Sequence, residues 1–347
     1  MRKIADFILI AALVIMIAVP VALLNTKPDQ VSVTENRTLA QPEWGDGINR
    51  FMQTVSDSID DRIGLRSAFM SIYNAVVYDT LQAKHTDVID GDDGWLFYIN
   101  DIPDYSGTNI NDATIAHYVN VLTAIDDWCK ARDIEFILWV GPNKSAVYDN
   151  CMPDGIRQAD TNRTELIMEQ LREAGVKVSY EKDTMIAHRD EQELYYKLDT
   201  HWNSYAARYT MEDVLTQLGL PLREFTYIEN PVIEGDLMTM LGTGNNGVYS
   251  LEVETVPNPD ATIEALESDV HHYIHNPDGE KFMAYRDSFG RVAIDMYSYY
   301  FTGHVFWDFD IDFDLVEQEA PRYLILSCVE RFFDTMVLVN EDILTRE

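Results

Sequence analysis

The fold of this chain is decided by the stretch Lys281-Phe282-Met283-Ala284-Tyr285-Arg286-Asp287-Ser288-Phe289-Gly290. Its first half is an apolar run of strand length, and a turn that carries Ser288 follows it. The next segment, Arg291–Phe301, has a mostly helical pattern. A serine at a strand-to-helix turn lies beside backbone N–H groups, which can stabilise a developing oxyanion. The alternative is that Asp287 or Ser288 only caps the following helix.

The rest of the chain alternates between strand-like and helical segments, which is typical of a parallel sheet covered by helices on both faces. An aromatic strand is expected after the turn at 90–94, and the less regular stretch 221–277 predicts an insertion or lid. The other strands are predicted at 134–140, 176–180, 304–309 and 323–329, and the helices at 111–132, 161–174 and 205–218.

A second motif, Asp199-Thr200-His201-Trp202-Asn203, lies upstream of the serine. It places a carboxylate and an imidazole two residues apart in a loop that leads into a helix, which Asn203 or Ser204 can cap. A hydroxyl is a poor nucleophile until a base takes its proton, and that base works best when a carboxylate fixes its tautomer. Asp199, His201 and Ser288 are therefore a candidate triad for acyl transfer. The alternative is an Asp–His pair that only braces its loop.

Composition excludes one large class of function. The 347 residues include 59 acidic and 26 basic side chains, which give a formal net charge of −33. Such a surface repels nucleic acid, so no nucleic-acid partner is expected. It also disfavours a polyanionic substrate unless the site itself is locally basic.

Three other motifs resemble nucleotide or metal sites, but their sequence context favours a structural explanation. Gly242–Gly247 matches the dinucleotide fingerprint, but helix-like residues precede it and strand-like residues follow, so we expect a flexible loop. The histidines at 271–275 have no carboxylate or cysteine at ligand spacing, which indicates a surface loop. The alternating aspartates at 308–314 indicate a half-buried strand with an acidic face. No metal site is predicted.

The N-terminus contains an apolar run, Phe7–Leu24, preceded by Arg2 and Lys3. Its length and flanking positive charge predict a retained membrane anchor, with the rest of the chain outside the cytoplasm. The alternative is a cleaved signal peptide. We divide the chain into the anchor at 1–25, a tether with an amphipathic helix pair at 26–84, and one catalytic domain at 85–347. Cys328 is expected to be a buried thiol, and pairing of Cys129 with Cys151 is left open.

Eight short motifs occur in an order typical of one family. They are Glu35–Arg37, Asp61–Arg66, Gly94–Phe97, Pro142–Lys144, Asp199–Asn203, Gly235–Leu241, Asp287–Phe289 and Val329–Arg331. Together they resemble the alginate O-acetyltransferase (AlgX/AlgJ-like, "DHHW") proteins over essentially the whole chain after the anchor. The resemblance implies an SGNH-hydrolase-like three-layer α/β sandwich with a parallel sheet, and a domain that acetylates an exported polysaccharide. Because Asp-x-His precedes the serine, it also implies a circular permutation.

The resemblance assigns roles to individual residues. Ser288 corresponds to the nucleophile, His201 to the base and Asp199 to the orienting acid. Arg331, or a backbone N–H beside it, stands where an oxyanion-binding asparagine is usual. Arg286 replaces the usual glycine beside Asp-Ser, where it could bind a substrate hydroxyl or anion. Further candidates for substrate contacts are Trp202, Asn203 and Lys144.

The same resemblance implies no bound cofactor and an acetyl group delivered by a membrane-bound O-acyltransferase partner. Two alternatives stay open. The first is a polysaccharide esterase, in which the same triad uses water as the acceptor. The second is a catalytically silent glycan-binding or assembly subunit of an export complex, an idea that rests on Arg286 beside the serine.

Overall fold

The computed structural model describes residues 14, 18–24, 31–32, 37–38, 40–42, 44, 48–65, 69, 86–232, 234–241 and 248–346. The chain divides into two units. The first consists of Met1–Val88 and Glu234–Asn246, and the second of Ile89–Ile233 and Gly247–Glu347.

Strands and helices alternate along most of the described residues. In chain order, the strands are β1 (Val31–Ser32), β2 (Arg37–Thr38), β3 (Val88–Asp90), β4 (Leu96–Tyr98), β5 (Glu135–Gly141), β6 (Val178–Ser179), β7 (Tyr227–Val232), β8 (Ser250–Thr255), β9 (Thr262–Glu267), β10 (His271–His275), β11 (Glu280–Tyr285), β12 (Phe301–Phe306) and β13 (Tyr323–Val329). The α-helices are α1 (Ile48–Arg62), α2 (Ile102–Tyr105), α3 (Asp112–Lys130), α4 (Lys144–Val147), α5 (Arg163–Glu173), α6 (Lys182–His188), α7 (Ser204–Gln217), α8 (Asp236–Leu241), α9 (Ile294–Tyr297), α10 (Phe313–Glu319) and α11 (Phe333–Leu338). Short 3₁₀ helices occur at Asp92–Gly94, Ile99–Asp101, Asp149–Cys151, Phe289–Ala293, Glu330–Phe332 and Glu341–Thr345.

The first unit contains the predicted amphipathic helix α1. The predicted tether is not featureless, because β1 and β2 pair in it as a short antiparallel ladder. The backbone N–H of Ala40 donates to Asp61 Oδ2 at 2.8 Å, which ties the segment after β2 to the end of α1. The second helix of the predicted pair falls mostly on residues outside the described part of the chain.

The predicted membrane anchor also falls mostly outside the described residues. Within it, the structure describes residues 14 and 18–24, and residues 18–22 are helical. Within the part of the chain that the structure describes, no helix is long and apolar enough to cross a bilayer. The anchor therefore stays a prediction. The loop expected at Gly242–Gly247 likewise lies outside the described residues.

The second unit is built on a seven-stranded sheet with the order β6-β5-β13-β11-β12-β10-β9. The five strands from β6 to β12 in this order are parallel, but β10 is antiparallel to β12 and β9 is antiparallel to β10. The sheet is thus mixed, and the prediction of a purely parallel sheet is corrected. The two added strands come from the stretch expected to be irregular. Most residues of β9 are exposed because it is an edge strand, so its sequence lacks the apolar alternation that identifies buried strands.

Two hydrophobic cores cover the two faces of this sheet. Along β5, Ile137 and Trp139 belong to one core, whereas Phe136, Leu138 and Val140 belong to the other. Helix α7 contributes to the first core, and helices α3 and α5 contribute to the second. This arrangement is the predicted three-layer sandwich, and it explains why the central strands read as continuous apolar runs.

The two cores also show whether the cysteines can pair. Cys129, Cys151 and Cys328 are all buried and free. Cys129 lies in the core on one face of the sheet and Cys151 in the core on the other face. The pairing left open from the sequence is therefore absent, and the expected buried thiol at Cys328 is confirmed.

Two further expectations are wrong. The histidines at 271–275 do not form a surface loop, because they make up β10, in which His272 is buried and His271 Nε2 lies 2.8 Å from His304 Nδ1 on β12. The alternating aspartates do not form a strand either. Strand β12 already ends at Phe306, and Asp312 caps helix α10 by accepting a hydrogen bond from the Leu315 N–H at 2.9 Å. Aspartates in the turn before helix α10 alternate with apolar residues, and this alternation resembles that of a half-buried strand.

Gly303 is a position in β12 where a side chain cannot be accommodated. Its φ is +143°, and a Cβ built there would lie 2.0 Å from the carbonyl oxygen of Phe282 on β11. We expect Gly303→Ala to lower the free energy of unfolding by at least about 3 kcal/mol, because two paired strands would have to separate. Urea titration measures this.

The matched control for this prediction is Gly219→Ala. Gly219 has φ +69°, but its Cβ would have no heavy atom within 4 Å. It should lose only about 1 kcal/mol from backbone strain. Equal losses at the two positions would contradict the steric argument.

Candidate active site

Ser288 stands at the carboxyl edge of the sheet, where β11 gives way to the 3₁₀ helix Phe289–Ala293. The turn is held by the buried carboxylate of Asp287. Its Oδ1 accepts hydrogen bonds from the N–H groups of Phe289 at 2.9 Å and Gly290 at 3.3 Å, and its Oδ2 accepts one from Val329 at 2.7 Å. Of the two residues that the sequence offered as a cap for the following helix, Asp287 is therefore the one that caps it. The Ser288 hydroxyl is not used as a cap.

The structure brings the three candidate residues Asp199, His201 and Ser288 together. Asp199 Oδ1 lies 2.7 Å from His201 Nδ1 and also accepts the backbone N–H of His201 at 2.8 Å. The other ring nitrogen, Nε2, lies 2.8 Å from Ser288 Oγ. A carboxylate at Nδ1 favours the tautomer protonated there, which leaves Nε2 able to accept the serine proton.

The histidine loop is tied to the serine turn by Trp202. Its indole Nε1–H donates to the carbonyl of Phe289 at 2.8 Å, and its ring stacks on Trp139 in the core. Trp202 is almost fully buried, so its predicted contact with substrate is restricted to the edge that lines the cleft described below. Its main effect is to hold His201 opposite Ser288.

The structure uses Asn203 and Lys144 for support of the histidine loop and not in the lining of the cleft described below, and it confirms Asn203 as the cap of the following helix. Asn203 Oδ1 caps helix α7 by accepting the N–H of Tyr205 at 3.0 Å, and its Nδ2 donates to a backbone carbonyl of the preceding loop. Lys144 is buried beneath the histidine loop. Its Nζ donates to the carbonyl oxygens of Tyr196 at 3.1 Å, Lys197 at 3.3 Å and Asp199 at 2.6 Å. Lys144 thus positions the segment that carries Asp199.

A cleft of about 340 Å³ opens beside the three residues. Its lining consists of Tyr196, Asp199, His201, Trp202, Asp269, Arg286, Ser288, Arg291, Val292 and Trp307. Arg286, which stands where the family usually has a glycine, forms part of the wall together with Ser288. Its Nη1 donates to the carbonyl of Asp287 at 2.9 Å and its Nη2 to that of Asp269 at 3.1 Å. Burial lowers the pKa of Arg286 to about 10, which still leaves the guanidinium charged at neutral pH.

The backbone around Ser288 offers one candidate oxyanion donor. The N–H groups of Phe289 and Gly290 are used by Asp287, whereas the N–H of Ser288 has no acceptor among the described residues. An oxyanion donor among the backbone N–H groups beside Arg331 stays a prediction, whereas both the N–H and the guanidinium of Arg331 itself have other partners. Its backbone N–H donates to Asn143 Oδ1 at 3.3 Å, and its buried guanidinium lies 3.5 Å from Asp101 Oδ1. Arg331 does not line the cleft.

Two features of the site were missed from the sequence. One is Trp307, which follows β12 at the same edge of the sheet and lines the cleft. Extending the predicted strand to residue 309 concealed it, although the carboxyl ends of parallel strands are where ligands bind. The other is the complete burial of Glu330, the residue that directly follows β13.

Glu330 lies at the centre of a buried polar network directly after β13. Its Oε2 accepts the N–H of Asn143 at 3.0 Å, and its Oε1 accepts hydrogen bonds from Asn162 Nδ2 at 2.7 Å and Tyr180 Oη at 3.1 Å. Burial, followed by the negative charge of Asp104, raises the pKa of Glu330 to about 8.

This raised pKa predicts a pH dependence of stability. The folded state holds the Glu330 proton up to about pH 8, whereas the unfolded chain loses it near the ordinary value of 4.5. The free energy of unfolding should therefore fall as the pH rises through this interval. Glu330→Gln cannot titrate, so its urea unfolding should depend less steeply on pH than that of the wild type. An exposed control, Glu173→Gln, should keep the wild-type slope, and identical slopes for all three proteins would contradict the prediction.

Comparison with known proteins addresses the family and the fold of the chain. A family model described as "SGNH hydrolase-like domain, acetyltransferase AlgX" matches residues 88–271, which include Asp199 and His201. No curated protein matches the chain.

Several solved structures are similar to this chain, and those with a TM-score of 0.54 share its fold. PatB1 of Bacillus cereus is 14% identical with a TM-score of 0.54, over 72% of this chain and 97% of that one. A DHHW family protein from Eubacterium siraeum is also 14% identical with a TM-score of 0.54, over 75% and 98% of the two chains. The O-acetyltransferase domain of Pseudomonas putida AlgJ is 14% identical with a TM-score of 0.47, over 75% and 99%. Since the matched model covers more than half of the 347 residues, the chain belongs to the AlgX family of SGNH hydrolase-like acetyltransferase domains.

Proposed function

We propose that this protein acetylates hydroxyl groups of an extracytoplasmic polysaccharide through an acetyl ester formed on Ser288. The observation that carries the proposal is the hydrogen-bonded series Asp199–His201–Ser288, with contacts of 2.7 Å and 2.8 Å at the wall of an open cleft. Membership of an acetyltransferase family supports acetyl as the group transferred.

In the first half-reaction, Ser288 Oγ attacks the carbonyl carbon of the acetyl donor while His201 Nε2 accepts the hydroxyl proton. The backbone N–H of Ser288 donates to the oxyanion that develops on the carbonyl oxygen. The bond between the acetyl carbon and the donor's leaving group then breaks. The leaving group takes the proton from His201, and an acetyl ester remains on Ser288. Asp199 stabilises the imidazolium that exists between these steps.

The second half-reaction runs in the opposite direction with a sugar. His201 Nε2 accepts the proton of a sugar hydroxyl as its oxygen attacks the acetyl-Ser288 carbonyl. The ester bond to Ser288 breaks, and the serine oxygen takes the proton back from His201. The products are an O-acetylated sugar and the free enzyme, so no oxidant, metal or bound cofactor is required by the balance of atoms.

The setting of the reaction is also part of the proposal. The apolar run Phe7–Leu24 supports a single-pass anchor that holds the catalytic unit outside the cytoplasm. The family resemblance supports a membrane-bound O-acyltransferase partner as the source of acetyl groups. It also supports a circular permutation in which β11, β12 and β13 correspond to the first three SGNH strands.

The structure bears differently on the two alternatives, a catalytically silent subunit and an esterase. The alternative of a silent subunit rests on Arg286 alone. This side chain is directed onto Trp307 and two backbone carbonyls, and it leaves the Ser288–His201 contact intact. An esterase stays the second candidate, because the side chains of His201 and Asp199 are partly exposed and water can reach them. The acceptor, water or sugar, distinguishes the two enzymes.

Intact-mass analysis of the full-length protein with 4-nitrophenyl acetate tests the proposal. We expect one acetyl group on the wild type and on Ser56→Ala, a control at an exposed serine of α1. Ser288→Ala should form no adduct and should lose at least about a thousandfold in ester turnover. An adduct on Ser288→Ala would contradict the proposal. Discharge to water that added oligosaccharides never divert would identify an esterase.

Lys144 supplies a separate prediction, because it acts only by positioning Asp199. Lys144→Met removes the ammonium that gathers three loop carbonyls, so we expect kcat for the acetyl ester to fall about 10- to 100-fold while KM changes little. Lys177→Met, at a partly exposed lysine, is the matched control. A folded Lys144→Met enzyme with unchanged kcat, or with an effect on KM alone, would contradict the positioning role.

A further inference from the structure

Trp307 is the unusual tryptophan of the second unit. It is 47% exposed, whereas the four other tryptophans there are at most 6% exposed (Trp95, Trp128, Trp139 and Trp202). It lies in the wall of the cleft that also contains Ser288 and His201. An apolar ring of this size left open inside a cleft, rather than packed in the core, indicates a surface that a ligand covers.

The ring of Trp307 is held in place before any ligand binds. The guanidinium of Arg286 lies over it, 5.4 Å from the ring centroid. Arg286 is itself fixed by its hydrogen bonds to the carbonyls of Asp287 and Asp269. The backbone N–H of Trp307 donates to Val270 at 2.7 Å. Among the described residues, no aromatic ring stacks on this indole. One face is thus supported by a cation, and the rest of the ring is open and pre-organised.

The charges of the cleft restrict what can bind there. Arg286 and Arg291 are balanced by Asp199 and Asp269 in its lining, and Arg291 Nε lies 3.9 Å from Asp269 Oδ1. The cleft therefore has no formal excess of positive charge, while the chain as a whole carries −33. A polyanionic glycan would be repelled by the protein without being attracted by the site.

We propose that Trp307 is the platform on which an uncharged pyranose ring of the acceptor glycan stacks. The apolar C–H face of such a ring is flat and matches an indole in area, while its hydroxyl groups stay directed to the polar wall of the cleft. The proposal rests on the proposed function for the chemistry that follows binding. It specifies the acceptor class, an uncharged glycan, and the residue that selects it.

Binding to the inactive full-length Ser288→Ala protein tests the platform without requiring turnover. The probes are cellopentaose, xylopentaose and chitopentaose, with pentagalacturonate as the charged comparison, and the readouts are tryptophan fluorescence and calorimetry. We expect at least one neutral pentasaccharide to bind more tightly than pentagalacturonate. Adding Trp307→Ala should weaken that binding about tenfold or more, and Trp307→Phe should weaken it less. The control Tyr249→Ala removes a 60% exposed ring that does not line the cleft, and binding should be unchanged.

Three results would overturn the proposal. They are binding by none of the neutral pentasaccharides, tighter binding of pentagalacturonate, and neutral binding that Trp307→Ala leaves intact.

Kinetics separate this proposal from the proposed function. In a protein with Ser288 intact, Trp307→Ala should raise the KM for the neutral acceptor about tenfold and should affect acetylation of Ser288 far less. Equal losses in both half-reactions would overturn the platform. If the wild type forms no acetyl-serine, the proposed function fails, while Trp307-dependent binding of a neutral glycan would still support the platform.

Discussion

The geometry of the site depends on one buried carboxylate, that of Asp287. It accepts two N–H groups of the serine turn and the N–H of Val329 at the end of β13. Burial raises its pKa, while the hydrogen bond from Val329 acts in the opposite direction. Because a buried acceptor with three donors has few other arrangements, it fixes the turn relative to the adjacent parallel strand. The serine hydroxyl is thereby left free of any structural task and directed at His201.

The histidine is positioned by a second, independent set of contacts. Trp202 connects its loop to the serine turn from one side, and Lys144 gathers the loop carbonyls from beneath. Both side chains are almost fully buried, and each would leave unpaired polar groups if it were lost. The histidine loop and the serine turn, which are far apart along the chain, therefore meet through contacts made by residues outside the candidate triad. Lys144 and Asn203, which were expected to contact substrate, are part of this support.

Much of the fold could be predicted because the central strands are buried on both faces. Tyr323–Val329 is an unbroken apolar run, and β13 has those same bounds. The edge strand β9 carries no such signal and was missed for that reason. Its neighbour β10 is paired on both sides, and it was missed because its three histidines indicated a loop. The candidate triad could be proposed from the sequence because a carboxylate, an imidazole and a hydroxyl in turns are the groups that acyl transfer requires. The burial of Glu330 and Lys144 could not, because the partners that solvate them, Asn162 and Tyr180 for the acid and three loop carbonyls for the lysine, are brought together only by the tertiary fold.

The mixed sheet has a consequence for how the protein behaves at high concentration. An open sheet presents unpaired backbone groups at both edges, where a second molecule can add a strand. In this sheet one edge is β6, which is only two residues long, and the other is β9, whose solvent-exposed residues include Glu264 and Glu267. A neighbouring molecule would find little backbone to pair with at the first edge and would meet like charge at the second. The short strand at one edge and the acidic strand at the other thus disfavour edge-to-edge pairing of two molecules, in keeping with the acidity of the whole chain.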